Sequence, residues 1–406
     1  MNAKAQKPQP AFEQPKSLPD LDDAIARAKE VTAQLDAAFP ERTSLVRGAM
    51  TALLAREHVL MLGPPGTAKS MFARTFANAV AGGSYFEILL TKFTTVEEVF
   101  GPVSFSALKN DRFERMLDGY AAKARVIFDD EIFKASSAIL NTKLTLMNER
   151  KFHNGGQLVD CALEIMLAAS NEYPQDDSLQ ALFDRIGFKF WVDYISDRDS
   201  LAKLLAGGSK PVTAKLEPGD LDVLRDAVEA MPFKNGEIDT LLNIKAAVED
   251  EGFVASDRTW VKAVRIIKAR AMLAGRDHVV SNDFMVLADV LWKEHKERER
   301  LSTIIGNAAD PYGARAEAII DAVKTAMREL PDISLLKSGQ MTKVEMIKKI
   351  SDVSSNVASR RDALMDVIDE AGDDNPAIAE ANETVSAAIA NVDEMMSTVT
   401  FFRQKK

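Results

Sequence analysis

Eight residues of this 406-residue chain have the types and spacing for phosphate chemistry: Gly63-Pro64-Pro65-Gly66-Thr67-Ala68-Lys69-Ser70. An apolar run, His58-Val59-Leu60-Met61-Leu62, precedes them, and a segment of helical character, Met71 to Val80, follows. Strand, glycine-bearing loop and helix in that order hold a nucleoside triphosphate. Glycines let backbone N–H groups turn in around the β-phosphate, and the helix N-terminus adds partial positive charge. Lys69 then reaches the β- and γ-phosphates, and the Ser70 hydroxyl ligates Mg²⁺. The strict pattern has Gly where Ala68 stands. The competing reading is an ordinary strand-to-helix loop with a surface lysine.

A second motif, Val126-Ile127-Phe128-Asp129-Asp130-Glu131, reads as a buried strand ending in acids. Parallel strands of such a fold present their C-terminal ends to one crevice, which brings Asp130 beside the phosphate loop. Asp130 there holds Mg²⁺ through water, and Glu131 polarises the attacking water for in-line phosphoryl transfer. Asp129 stands where an apolar residue is normal. Either it points to the crevice edge or the strand ends one residue early. A third buried run, Glu164 to Ser170, ends at Asn171. An amide at that place orients the lytic water and senses the γ-phosphate.

Those motifs need elements to hold them. At 406 residues the chain has room for two or three domains, each with its own core. Apolar content of 46% with 28% charged residues describes a soluble globular protein. The formal charge of −10 argues against a broad nucleic-acid footprint. One cysteine, Cys161, excludes an internal disulfide and suits a reducing compartment. His58, His153, His278 and His295 lack metal-ligand spacing, so no structural zinc site is expected. No apolar run approaches the ~20 residues that span a bilayer. The start is rich in Lys, Gln and Pro without an apolar signal core, and a cytoplasmic location is expected.

Residues 1–19, with four prolines, read as a disordered tail. Residues 20–205 read as an α/β nucleotide-binding core. Leu21, Ile25, Ala28, Val31 and Leu35 form one helical stripe, and a second helix spans Thr43 to Ala55. Between them, Phe39-Pro40-Glu41-Arg42 makes a bend where an adenine pocket could form. A strand over Tyr85–Leu90, an acidic helix over Thr95–Phe100 and a helix over Ser136–Glu149 follow. Phe152 to Val159 reads as a hairpin, with Asn154-Gly155 supplying the positive-φ residues of its turn. Strands alternating with helices give a parallel sheet with helices on both faces. Gly207-Gly208-Ser209-Lys210-Pro211 reads as a linker into an all-α lid over 206–300, with helices at 218–231, 236–252, 257–274 and 281–300. Residues 301–406 carry helical stripes (Ile319, Val323, Met327 and Leu330; Val344, Ile347, Ile350, Val353 and Val357; Val385, Ile389, Val392 and Val399). They form either a bundle or a surface for a neighbouring subunit.

The phosphate loop, Thr95-Val96-Glu97-Glu98-Val99-Phe100-Gly101-Pro102 and Asp130-Glu131-Ile132-Phe133-Lys134-Ala135 occur in one order. Ile139-Leu140-Asn141-Thr142, Asn148-Glu149-Arg150-Lys151-Phe152, Ala168-Ala169-Ser170-Asn171-Glu172 and Ser256-Asp257-Arg258 continue it. Together they resemble an AAA+ ATPase of the MoxR group, most similar to its RavA branch, over residues 20–300. In that group Ala is common where Ala68 stands, whereas Asp129 departs from its pattern. Residues 301–406 lack the look of the usual RavA appendage, so functions tied to it do not carry over.

The resemblance implies ATP and Mg²⁺ as ligands, and a hexameric ring that remodels, or inserts a cofactor into, a partner complex. It implies that Arg185, in Leu182-Phe183-Asp184-Arg185, is the arginine finger completing a neighbour's site, worth about 10³–10⁵ in rate. It also implies that Arg258 reads the γ-phosphate in cis and that a von Willebrand A domain protein is the partner. Two insertions, a hairpin over Val103–Arg115 and the one around Gly155-Gly156, would face the ring pore. A nucleic-acid motor, and a nucleotide-gated scaffold with incidental turnover, are the rival readings. The acidic balance and the lack of an aromatic-basic platform oppose the first.

Overall fold

The computed structural model describes residues 20–80, 84–174, 179, 182–207, 211–337, 340–371 and 375–401. The tail 1–19 and the linker residues 208–210 lie outside them. The chain forms two compact units: one runs to Asp239 and resumes at Val248–Ser302, and the other comprises Thr240–Ala247 and Thr303–Lys406.

In the first unit, helices α1 (Leu21–Ala38) and α2 (Thr43–Leu54) lead into strand β1 (Val59–Leu62). α1 starts at Asp20, whose carboxylate accepts from the Asp22 N–H, and it buries Ala24, Ala28, Val31 and Leu35. Its buried stripe is thus turned slightly from the expected one, because Leu21 and Ile25 stay half-exposed. After β1 come α3 (Lys69–Val80), β2 (Tyr85–Leu89), α4 (Val96–Phe100), α5 (Phe105–Leu108) and β3 (Val126–Asp130). Next are α6 (Ser137–Glu149), β4 (Lys151–Asn154), β5 (Gln157–Asp160), β6 (Ile165–Ser170) and β7 (Phe188–Trp191). Five strands form a parallel sheet ordered β2-β3-β6-β1-β7. The central strands β1 and β6 are buried throughout, as a sheet covered on both faces requires. Neighbouring residues of a strand point to opposite faces. Asp130 meets Ser70 on α3 while Asp129 meets Lys143 on α6, so those two helices cover opposite faces.

β7 answers to no strand read from the sequence. Lys189 interrupts its apolar run, yet the residue is buried with its ammonium 4.6 Å from the Phe183 ring and 5.8 Å from that of Trp292. The expected hairpin over Val103–Arg115 is not a ladder. A single antiparallel bridge, Val103 to Arg115, closes a loop that holds α5. The β4–β5 hairpin does form, but Gly155 (φ +57°) and Gly156 (φ +88°) make its turn, and Asn154 ends the strand. Asn154 instead accepts from Arg115 N at 2.6 Å and donates to Arg115 O at 3.2 Å. A Cβ on Gly155 would lie 1.5 Å from the Phe113 carbonyl oxygen, so the two insertions are docked on one another.

α7 (Arg198–Leu205) is followed by lid helices α8 (Pro218–Ala230), α9 (Asn235–Asp250) and α10 (Asp257–Leu273). Buried Arg225 of α8 donates to the Leu53 carbonyl at 2.7 Å and pairs with Glu164, fastening lid to core. The helix expected over 281–300 is broken. A 3₁₀ segment, Ser281–Leu287, passes into α11 (Ala288–Leu291), the chain turns extended at Trp292, and α12 (Glu297–Ala309) begins anew. Trp292 is fully buried and its indole N–H donates to the Lys189 carbonyl at 3.1 Å. Insertion of that side chain into the core ends the helix.

In the second unit, α13 (Pro311–Arg328), the short α14 (Ser334–Lys337), α15 (Lys343–Ala371) and α16 (Pro376–Phe401) form a bundle around one apolar core. Ile320, Val323, Met346, Ile350, Val353, Leu364, Val385 and Val392 are among its buried residues. Met346, not the 77%-exposed Val344, begins the buried stripe of α15. Among the described residues no helix is long and apolar enough to cross a membrane.

Candidate nucleotide site

The loop from Gly63 to Ser70 joins β1 to α3, and its backbone explains its composition. A Cβ on Gly63 (φ +145°) would sit 2.2 Å from the Val192 carbonyl oxygen, so only glycine allows the loop to lie against the end of β7. Ala68, in place of the pattern's glycine, adopts φ +66°. For an L-residue with a Cβ that conformation costs about 1–2 kcal/mol.

Lys69 opens α3 and is 7% exposed. Its ammonium donates to the carbonyls of Gly63 and Pro64, both at 2.8 Å, and to Asn171 Oδ1 at 3.1 Å. Burial lowers its pKa, while Asp130 and Glu131 act the other way. Ser70 Oγ donates to Asp130 Oδ2 at 3.3 Å, and burial pushes the Asp130 carboxyl above its ordinary range. Asn171 Nδ2 donates to Glu131 Oε1 at 2.5 Å. Glu131 leaves β3 in the left-handed region (φ +55°), which turns its side chain back toward the strand tips. Five sequence-read residues, Lys69, Ser70, Asp130, Glu131 and Asn171, therefore meet in one place.

Lys134 joins them through its ammonium, 3.2 Å from Glu131 Oε2 and 3.9 Å from Glu172. The signal was the three-residue spacing from Glu131 within a tight helical turn. Two further aromatics also escaped the sequence reading. Tyr173 bonds His295 through its hydroxyl (3.0 Å to Nδ1), and the Trp191 ring stacks on His295 at 4.2 Å.

The donor set fits a hydrated divalent cation with a polyphosphate. A hydroxyl and a carboxylate stand side by side, the oxygen types that Mg²⁺ takes while keeping water and substrate phosphates as its other ligands. Around Gly66 the loop leaves open space within 4 Å of where a Cβ would stand. At the Phe39–Arg42 bend, the Phe39 ring is buried edge-on to Phe72 of α3 (5.3 Å), and Arg42 donates to the Asp193 carbonyl. Its aromatic ring belongs to the core and presents no face to a base.

Asp129 takes neither of its two expected places. It is fully buried on the far side of β3, with Oδ1 2.7 Å from Lys143 Nζ. Arg185 and Arg258 stand apart from the phosphate loop but beside each other. Both line a cavity of about 80 Å³ together with Asp184, Lys189, Ser256 and Lys262. No residue of the loop, nor Asp130, Glu131 or Asn171, lines that cavity. Arg258, expected to read the γ-phosphate in cis, thus shares its cavity with Arg185. Burial pushes Lys189, in the same wall, down to about 8.

Residues 26–229 match the family model described as the MoxR domain in the MoxR-vWA-beta-propeller ternary systems, and residues 237–305 match an AAA lid domain. An uncharacterized protein of Methanocaldococcus jannaschii, MJ0812, is 35% identical over 75% of this chain and 82% of its own length. Chaperone MoxR1 of Mycobacterium tuberculosis is 25% identical over 67% of this chain and 74% of its own. A crystal structure from Cytophaga hutchinsonii, described provisionally as an ATPase, superposes with a TM-score of 0.57 at 17% identity. It covers 70% of this chain and 95% of that one, a likeness of fold.

Proposed function

Because the chain belongs to the MoxR group of AAA+ ATPases, we propose that it is a Mg²⁺-dependent, ring-forming ATPase whose cycle remodels, or inserts a cofactor into, a partner protein complex. The ATPase activity and the chaperone-like class come with the family. Ring, metal, site roles and partner are this reading's own content, as is a cytoplasmic location.

One observation carries it: Asn171 bonds both Lys69 and Glu131, so the phosphate-binding cation and the candidate base share one amide. In this reading the loop N–H groups and Lys69 bind the β- and γ-phosphates. Ser70 and Asp130 hold Mg²⁺, which when bound offsets negative charge on the phosphate oxygens. Glu131 accepts the proton of the attacking water, Asn171 orients that water, and Lys134 fixes the other carboxylate oxygen. Arg185 and Arg258, sharing a cavity away from their own loop, act together on the nucleotide of an adjacent protomer.

The family description supports a von Willebrand A domain protein as partner, with a β-propeller protein in the same system. Placement in the RavA branch rests on the sequence motifs alone. The test is Glu131→Gln, which should keep ATP binding and lower turnover by at least about 10²-fold. Turnover at the parent rate would remove Glu131 as the base. The same variant, loaded with ATP, is the bait for a pull-down, and recovery of no von Willebrand A protein would remove the partner.

A further inference from the structure

Asp129 and Lys143 form an ion pair that nothing in the hydrolytic site uses. Asp129 has no exposed surface, Lys143 is 1% exposed, and their charged atoms lie 2.7 Å apart. Asp129 Oδ2 has no hydrogen-bond partner among the described residues. Burial drives the Asp129 carboxyl upward in pKa, and the Lys143 ammonium opposes that. An apolar couple of similar volume would serve the core as well or better. What the ion pair adds is direction, since an N–H···O contact weakens steeply once misaligned.

The two partners belong to different machinery. Asp129 precedes Asp130, which bonds Ser70, and Glu131, which bonds Asn171. Lys143 sits mid-way along α6, which runs through Arg150 directly into β4. Its ammonium is 5.9 Å from the centre of the Phe100 ring at the end of α4, and Phe100 stacks on Phe152 of β4 at 5.1 Å. The β4–β5 hairpin is bonded through Asn154 to Arg115 of the 103–115 insertion. Lys143 therefore stands at the root of one body made of both insertions, whose surface exposes Phe105, Phe113 and Leu158.

We propose that Asp129 and Lys143 are a positioning pair that couples the Asp130–Glu131 strand tip to the joined insertions, so that nucleotide events at β3 are passed to α6 and the hairpin. This rests on the ATPase reading of the site. Neither residue touches the nucleotide. A structural pair would influence stability alone, whereas a coupling pair also sets turnover and the response of the insertions.

The decisive protein is the full chain carrying Asp129→Val with Lys143→Met, which removes both charges and strands neither. It should fold, bind a fluorescent ATP analogue within about twofold of the parent, and keep KM while kcat falls about tenfold. In the parent, ATP should alter hydrogen exchange at 103–115 and 151–160; in the paired variant those segments should no longer respond. Lys143→Met alone, which leaves a buried carboxylate uncompensated, should unfold at lower temperature than the paired variant. Parent kcat with a parent-like exchange response in the paired variant would overturn the coupling, as would insertions that ignore ATP in the parent. Loss of ATP binding by the paired variant would reduce the pair to a support of the site. A parent that binds no ATP would instead overturn the ATPase reading, a failure visible before any variant is made.

Discussion

His58 shows how far one buried residue can set the acid limit of the core. Its Nδ1 accepts from the Met166 N–H at 3.1 Å, which leaves Nε2 to donate to the Met147 carbonyl at 3.2 Å. Burial first, then the positive charge of Arg150, pushes its pKa down from 6.5 to about 3. Folded, the ring stays neutral; unfolded, it takes a proton near pH 6.5. Between those values the unfolded state binds more protons, so stability falls as pH falls, by about 1.4 kcal/mol per unit. From pH 6.5 to 5 the protein should lose roughly 2 kcal/mol on this account. Urea midpoints across that range should show the slope, and His58→Gln should flatten it whatever its absolute stability. An unchanged slope would assign the acid sensitivity to other groups. Residues of this scale were legible where types and spacing carried the chemistry: Lys69, Ser70, Asp130, Glu131 and Asn171 were all read before the structure brought them together. Asp129 was not, because its partner lies fourteen residues on and on another element. Only the packing of α6 on the sheet reveals that pairing.

Elements were legible where an apolar run was unbroken and bracketed by turn signals, as for β1, β3 and β6. β7 was hidden because the rings of Phe183 and Trp292 shelter the cation in its middle, and those rings come from elsewhere in the chain. The same tertiary demand, burial of Trp292, broke a helix whose periodicity looked continuous. For Arg258 the helix was legible, but not the cavity that it lines with Arg185. At this scale the docking of the two insertions can be tested by Gly155→Ala. The substitution puts a Cβ into the Phe113 carbonyl and an L-residue at φ +57°. It should cost about 1–2 kcal/mol or undock the hairpin. Hydrogen exchange should rise at both 103–115 and 151–160 and nowhere in β1 or β6. Protection lost in only one segment would mean that the insertions are independent.

The molecule as a whole separates its phosphate loop from its paired arginines, and every candidate site residue belongs to the first unit. Chain ending at Ser302 should accordingly keep ATP binding, read by the same fluorescent analogue. If Arg185 serves a neighbour, Arg185→Ala and Glu131→Gln proteins should each be nearly inactive, yet a mixture should regain turnover. In it, an intact carboxylate in one copy meets an intact guanidinium from the other. Mixtures no better than their components would place both groups in one chain. The distance between loop and cations on a single copy also bears on fuel economy. If the shared-site proposal holds, a solitary protein diluted below its association range would hold nucleotide without consuming it, and cleavage per molecule would climb with concentration. Expenditure of ATP would then begin only once companions had gathered.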